Sequence, residues 1–492
     1  VPDHPGILVN LGYALVAEYV SADGADRSEA AEYFTIAENF QRVALFGGNA
    51  GSTRDVTLDE EPIRKALAAS RAEYYNTVEY FAWAMDDLLE LTPDEDYWFS
   101  GQTNYRMNKP TIQRQIRLAH EQGVAMVTYG KWCISGAPGW EAVYDRPWDF
   151  TGTYRQPIGS WDSHNAWIFD LRRNNEQVPY SPRPGGGEGW FNPWWNEFIG
   201  IGPNASLSMI RSAAEEMAAS ADMFGWDAVR WDGHIRAGWN ATGRSGQYQP
   251  WAARQTQALM RYFKDTIEQK HPGFRHGYNY FLIEPNKGYD WAKEDFELDE
   301  LCRGGGLLMN ESIGNASAGY TFEQIARTLQ VEGDLCRERG GFYLGISFGM
   351  SPRDSLIESA LWAAAGCRRY NSSMPCEVRR YLTGYAQYTL DERLRRLATP
   401  EKILAPQAET RLWWQPFVYE TPPENGRRQL VVNLLNIPRE DKRPNNRGNP
   451  LPKPVWNMPA GTDPVTFALT LPAGLQAAAA HLIDPWSLEV QP

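Results

Sequence analysis

Phe224-Gly225-Trp226-Asp227-Ala228-Val229-Arg230-Trp231-Asp232-Gly233-His234 is the stretch that decides the fold. A helix-like run, residues 207–223, leads into it, and Gly225 reads as the helix stop. Residues 228–231 read as a short buried strand, and Asp232 stands where that strand runs out. A carboxylate at the carboxyl end of a buried parallel strand, after a helix, is where (β/α)8 barrels keep catalytic groups. Arg230 lies two residues earlier, so strand alternation sends its side chain to the same side as that of Asp232. A guanidinium beside a carboxylate holds it ionised and aimed, which suits a nucleophile. A purely structural Arg–Asp pair at a strand end is the other reading.

Working outward, the 492 residues are too many for one ordinary core and enough for a large barrel plus a second domain. The formal net charge of −13 argues against nucleic acid and anionic membrane surfaces as partners. No apolar run reaches membrane-spanning length. Twenty Trp and 24 Tyr offer aromatic faces of the kind that stack on sugar rings, although core packing claims most such residues in any protein. The five cysteines, Cys133, Cys302, Cys336, Cys367 and Cys376, form no zinc spacing. Cys367 with Cys376, and Cys302 with Cys336, are conceivable pairs. The seven His are scattered and form no HExxH, the Gly185-Gly186-Gly187 loop carries no GK[ST], and no Gly-x-Ser-x-Gly elbow is present. No cofactor and no metal are expected.

Before this stretch, residues 1–40 form a lead-in without an assigned role, an apolar run followed by a helix-like segment at 27–40. Residues 42–46 read as a strand. Helix and strand then alternate: helices at 60–74, 111–122, 252–270, 320–339 and 354–365, and strands at 77–83, 124–129, 166–170, 276–280, 306–310 and 341–347. Repeated alternation on this scale favours an α/β barrel over residues 41–404. From residue 405 on, strands at 411–419, 429–435, 464–471 and 478–483 with Pro, Asn and Gly connections read as a small antiparallel β-sandwich. The expected fold is therefore α/β, a (β/α)8 TIM barrel followed by a C-terminal β-sandwich domain over 405–492.

Glycoside hydrolysis by its common route needs two carboxyl groups, one to attack or to activate water and one to protonate the leaving oxygen. Asp232 is the first candidate. Glu311, in Leu307-Leu308-Met309-Asn310-Glu311-Ser312, ends another apolar strand. At roughly 30 residues per barrel repeat it falls two or three strands further along, so the two can face each other across the mouth. A helix-entry role is the alternative for Glu311. Asp86, Asp87, Asp170 and Glu284 are rival carboxylates at strand ends, and His234 and Asn279 are placed to hold hydroxyls.

The order of elements resembles the family 66 glycoside hydrolases, the dextranases and cycloisomaltooligosaccharide glucanotransferases. The matching residues run in that family's order. Tyr80-Phe81-Ala82-Trp83 is followed by Trp98 and Arg106, then Thr111-Ile112, Ile116, Ala119-His120, Gly123 and Ala125-Met126-Val127-Thr128-Tyr129. Phe224-Gly225-Trp226-Asp227 leads to Asp232, Leu308-Met309-Asn310-Glu311 follows, and Leu430-Val431-Val432-Asn433-Leu434-Leu435-Asn436 resembles a strand of the family's C-terminal β-domain. The resemblance covers residues from about 75 onward. It implies Asp232 as nucleophile, Glu311 as acid/base, a retaining mechanism through a covalent glycosyl-enzyme, an α-glucan such as dextran as substrate, and a secreted, cell-surface or periplasmic protein. It also implies an N-terminal β-domain that is missing or replaced here. Ala82 departs from the family's usual Asp, and Arg230 and Trp231 also differ, the arginine resembling the α-amylase clan instead.

The sequence thus reads as an endo-acting retaining glycoside hydrolase or transglycosylase. Arg230 orients Asp232, and Trp83, Trp98, Tyr129, Trp132, Trp231, His234 and Asn279 are the substrate-contact candidates. Two other readings stay open: a barrel that binds glycan without cutting it, in a surface uptake system, and an exo-acting α-glycosidase. Polysaccharide or oligosaccharide is the expected partner, and oligomeric state is not legible.

Overall fold

The computed structural model describes residues 11–49, 59–81, 83–84, 91–94, 96–99, 106–131, 168–170, 176–177, 200–201, 207–232, 250–279, 296–310, 319–346, 351–370, 374–423, 428–444, 454–457, 460–471, 474, 476–485, 488 and 490–491. Strands β1 (Leu11–Val20) and β2 (Arg27–Ile36) open it as an antiparallel hairpin. The helix expected over 27–40 is thus a correction. The Ala- and Glu-rich composition of that segment favours helix locally, but pairing with β1 overrides it. The turn is held by Ser21 Oγ donating to Asp23 Oδ1 at 2.6 Å and by Gly24 at φ +69°.

Eight strands then form one parallel sheet: β3 (Phe46–Asn49), β4 (Thr77–Tyr80), β7 (Ala125–Lys131), β11 (Ala228–Asp232), β12 (Arg275–Asn279), β13 (Leu307–Asn310), β14 (Phe342–Ile346) and β15 (Arg368–Tyr370), neighbours in that order. The last strand meets the first through the Phe46 and Tyr370 rings, 4.8 Å apart, so the sheet is a nearly closed barrel. The lining is Ala44, Phe46, Val127, Ala228, Leu307, Met309, Leu344, Ile346 and Tyr370. The sequence reading missed β15, because Arg368-Arg369-Tyr370 carries no apolar signature; both arginines are nonetheless buried. Among the described residues, five short strands between β4 and β11 fall outside the barrel: β5 (Tyr97–Phe99) with β6 (Arg106–Asn108), and β8 (Ile168–Asp170) between β9 (Glu176–Gln177) and β10 (Gly200–Ile201). Asp170 therefore does not end a barrel strand, as its place in the alternation had suggested.

The outer layer consists of α1 (Glu61–Ala72), α2 (Lys109–Glu121), α3 (Leu207–Phe224), α4 (Pro250–Lys270), α5 (Phe296–Cys302), α6 (Phe322–Glu338), α7 (Pro352–Ala364), α8 (Cys376–Gly384) and α9 (Ala386–Thr389). Their boundaries follow from capping. Asn108 accepts from Thr111 N at 2.9 Å ahead of Pro110 in α2, and Thr321 with Gln324 forms a capping box on α6. In α3, Ile210, Ala213, Ala214, Met217, Ala218, Ala221 and Phe224 are all buried, the spacing of one helical face. Gly225 ends the helix at φ +85°.

The hairpin rests on α8 and α9. Thr35 Oγ1 donates to the Thr383 carbonyl at 2.6 Å and Gly12 N to Gln387 Oε1 at 2.9 Å. Gly12 has to be glycine here, since a Cβ would lie 2.2 Å from the Gly384 oxygen. After the barrel, the strands are antiparallel: β16 (Arg395–Arg396), β18 (Val418–Glu420) and β19 (Leu430–Val432) in one sheet, and β17 (Leu404–Pro406) with β20 (Phe467–Leu469) in another. A last pair is β21 (Leu482–Ile483) with β22 (Val490–Gln491). This part packs on α6 and α7 through Trp456 against Phe322 and a buried Arg443–Glu358 pair at 2.7 Å. Cys302, Cys336, Cys367 and Cys376 are free thiols, the first three buried.

Candidate active site

Alternation along β11 sorts its side chains. Ala228 joins the barrel lining, whereas Val229 and Trp231 pack outward against the helix layer. Arg230 is 6% exposed and lies over the inward-facing Tyr129 ring, 4.8 Å from its centroid. Asp232 is the last residue of β11, in register with Lys131 of β7. β11 and β13 are the two neighbours of β12, and Glu311 directly follows the last residue of β13. Glu311, Trp132 and His234 lie outside the described residues, as do Asp86, Asp87 and Glu284.

Below these strand ends is a buried polar network that the sequence reading did not foresee. Arg230 grips Glu79 of β4 with two bonds: Nη2 donates to Oε1 at 2.7 Å, and Nε donates to Oε2. Its Nη1 donates to Asn279 Oδ1 of β12 at 2.7 Å. Glu79 has no exposed surface and Asn279 1%. One guanidinium therefore ties three barrel strands together, through a fork that only Arg presents. The sequence reading gave Arg230 the task of orienting Asp232 and Asn279 that of touching substrate; the structure places both in this network. One signal for Glu79 was available: a carboxylate in the middle of the four-residue strand Thr77-Val78-Glu79-Tyr80 has to find a buried cation.

The aromatic candidates divide. Trp83, Trp98 and Trp231 sit in the layer between barrel and helices, and as placed they offer no stacking face to a sugar. Trp83 donates Nε1 to Thr128 Oγ1 at 2.8 Å and packs on Phe224 and Trp226. Trp98 donates Nε1 to the Trp83 carbonyl at 2.7 Å. Trp231 packs on Phe263 of α4, ring centroids 5.3 Å apart, and its ring crosses Gly130. All three substrate-contact candidates are buried here, and for Trp231 the reason is the two-residue period: a side chain one step from Arg230 faces the opposite way. Tyr129, inward and tilted against Phe81 with ring centroids 4.5 Å apart, is buried beneath the mouth.

Behind β13, Asn310 Nδ2 reaches Glu332 of α6 at 3.3 Å, pinning the strand just ahead of Glu311. Burial and the Glu332 charge push the nearby Tyr343 hydroxyl well above the usual phenol range. Among the described residues no group of three His, Cys, Asp or Glu side chains is arranged to hold a metal ion.

No family model matches the chain, and no curated protein does. Solved structures do. A Paenibacillus sp. cycloisomaltooligosaccharide glucanotransferase, complexed with cycloisomaltoheptaose, superposes with a TM-score of 0.62 over 98% of this chain and 91% of its own, at 10% identity. The chain shares the fold of that structure. Looser matches are the type III pullulan hydrolase of Thermococcus kodakarensis (TM-score 0.42, 11% identity, 78% and 79% coverage) and a maltogenic α-amylase of Thermotoga neapolitana (0.40, 10%, 80% and 86%). At such identities the likeness concerns the fold alone.

Proposed function

We propose that this protein is a retaining glycoside hydrolase or transglycosylase acting on an α-linked glucan of the dextran kind, a diverged relative of glycoside hydrolase family 66. The observation that carries the reading is the strand order: the element that ends in Asp232 and the element that precedes Glu311 are separated by a single strand. Adjacent strands lie about 4.8 Å apart, so the two strand ends stand about 10 Å apart across β12. Inward-reaching carboxyls from such positions can approach the roughly 5–5.5 Å separation of retaining enzymes. In this reading Asp232 attacks the anomeric carbon. Glu311 protonates the leaving oxygen, then deprotonates the water or sugar hydroxyl that releases the glycosyl group. The Glu79–Arg230–Asn279 network is the rigid floor that fixes the end of β11, and Arg230 acts on Asp232 from within it. His234 and Trp132 remain substrate-contact proposals, and export from the cell goes with a polymeric substrate.

The test is digestion of a panel of α-glucans with linkage analysis of the products. Dextran-type α-glucan should be cut, with the first-formed product keeping the anomeric configuration. Asp232→Ala and Glu311→Gln should each abolish product release while the far-UV spectrum and melting temperature stay near wild type. Ordinary turnover in either variant removes the assignment. Saturable binding with no product from any glucan makes the barrel a non-catalytic binder, and product only from chain ends makes it exo-acting.

A further inference from the structure

The amino-terminal end of the barrel, opposite the candidate active site, holds a buried cation without a carboxylate partner among the described residues. Arg368 opens β15 and is 4% exposed. Its Nη1 donates to the Gln41 carbonyl, and its guanidinium lies over the Phe342 ring, 5.3 Å from the centroid. Among the described residues it forms no ion pair. The neighbouring charges are already engaged. Arg42 serves Asp391 at 3.3 Å, Arg393 bonds both oxygens of the same carboxylate, and Arg337 is held by Asp334 at 3.0 Å. Glu392 is 3.9 Å from Arg42, with its side chain 55% exposed. Burial and the charge of Arg42 pull the Arg368 guanidinium down to about 9. An uncompensated buried charge is among the costliest features a fold can keep.

A narrow cleft opens against this group, lined by Arg337, Tyr343, Gly366, Arg368, Thr389 and Asp391 among others. Gly366, at φ +72°, leaves room for the Arg337 guanidinium, whose Nη2 a Cβ would meet at 2.6 Å. Two guanidinium groups thus border one small opening, and among the described residues only Arg337 has a carboxylate partner. Planar N–H forks of this kind suit an oxyanion.

We propose that this cleft binds a small inorganic oxyanion, phosphate or sulfate, with Arg368 as its principal donor and Arg337 beside it. The site lies at the opposite end of the strands from Asp232, so it stands or falls independently of the glycosidase reading. Thermal melts of the full chain in a phosphate titration, at ionic strength held constant with a bulky sulfonate buffer, should show a saturable rise in melting temperature. Arg368→Gln should abolish the response or weaken its midpoint at least tenfold. The same midpoint in the variant, or no saturable response in the wild type, overturns the proposal. Should the variant not fold, wild-type crystals soaked in selenate give a second reading. An anomalous peak within hydrogen-bond reach of Arg368 supports the site, and an empty cleft at saturating selenate overturns it.

Discussion

Glu79→Gln keeps the shape of a side chain with no exposed surface and deletes one charge. In the wild type that carboxylate accepts two bonds from Arg230, whose side chain is itself 7% exposed. Removing one partner of a buried ion pair strands the other and costs about 3–5 kcal/mol. The glutamine oxygen still accepts one guanidinium N–H, which places the loss near the lower end, about 3 kcal/mol. Arg230→Met should cost at least as much, since it leaves the Glu79 anion buried and Asn279 without its Arg230 donor. The double variant Glu79→Gln with Arg230→Met removes both charges and leaves neutral amides at positions 79 and 279 to be resatisfied, about 1–3 kcal/mol. The three variants therefore form a strongly non-additive set, with a coupling of about 3 kcal/mol or more between positions 79 and 230. Urea unfolding followed by circular dichroism and tryptophan fluorescence reads all three. A Glu79→Gln midpoint within about 0.5 kcal/mol of wild type, or additive single and double variants, would falsify the claim that this pair is the keystone of the barrel floor.

Gly130→Ala would place a methyl group 2.6 Å from the Trp231 ring, an overpacking that costs about 1–3 kcal/mol; Trp231→Phe in the same chain should recover part of it in the same unfolding assay. His120 Nε2 lies 2.8 Å from Asp227 Oδ2, and that hydrogen bond, against a smaller opposing effect of burial, raises the imidazole above its ordinary value. A raised folded value means stability that is complete below the unfolded value of about 6.5 and lost as pH climbs through the folded one, so melting temperature should decline modestly there, and His120→Gln should flatten that decline. The pair is partly exposed, which keeps the effect small. Thr321→Ala removes the capping box that starts α6 and should cost about 1 kcal/mol, read by the same urea titration; a neutral result would show the cap to be replaced by water.

Most of the barrel was legible because its signals are local. The face of α3, the Gly225 stop and the apolar strands around Val127, Ala228 and Leu308 each lie within a few turns of chain, and the periods 3.6 and 2 report them directly. Two elements were hidden for opposite reasons. β2 has helix-like composition, and only its pairing with β1 makes it a strand. β15 is Arg-Arg-Tyr, and only burial of Arg369 at 3.7 Å from Glu358, and of Arg368 at the barrel end, makes its residues interior.

By itself, then, the sequence determined the alternation of helices and strands, the place of Asp232 at a strand end, and the position of Glu311 just beyond another apolar run. It did not determine what Arg230 holds. Its partner Glu79 is 151 residues away, and the two meet only because β4, β7 and β11 become neighbours in one sheet. It also left open which tryptophans face the barrel interior, because facing in or out depends on which neighbours a strand acquires. Local chain physics sets period and caps within a few residues. The pairing of charges and the sorting of faces are set by strand order, which is a property of the closed barrel as a whole.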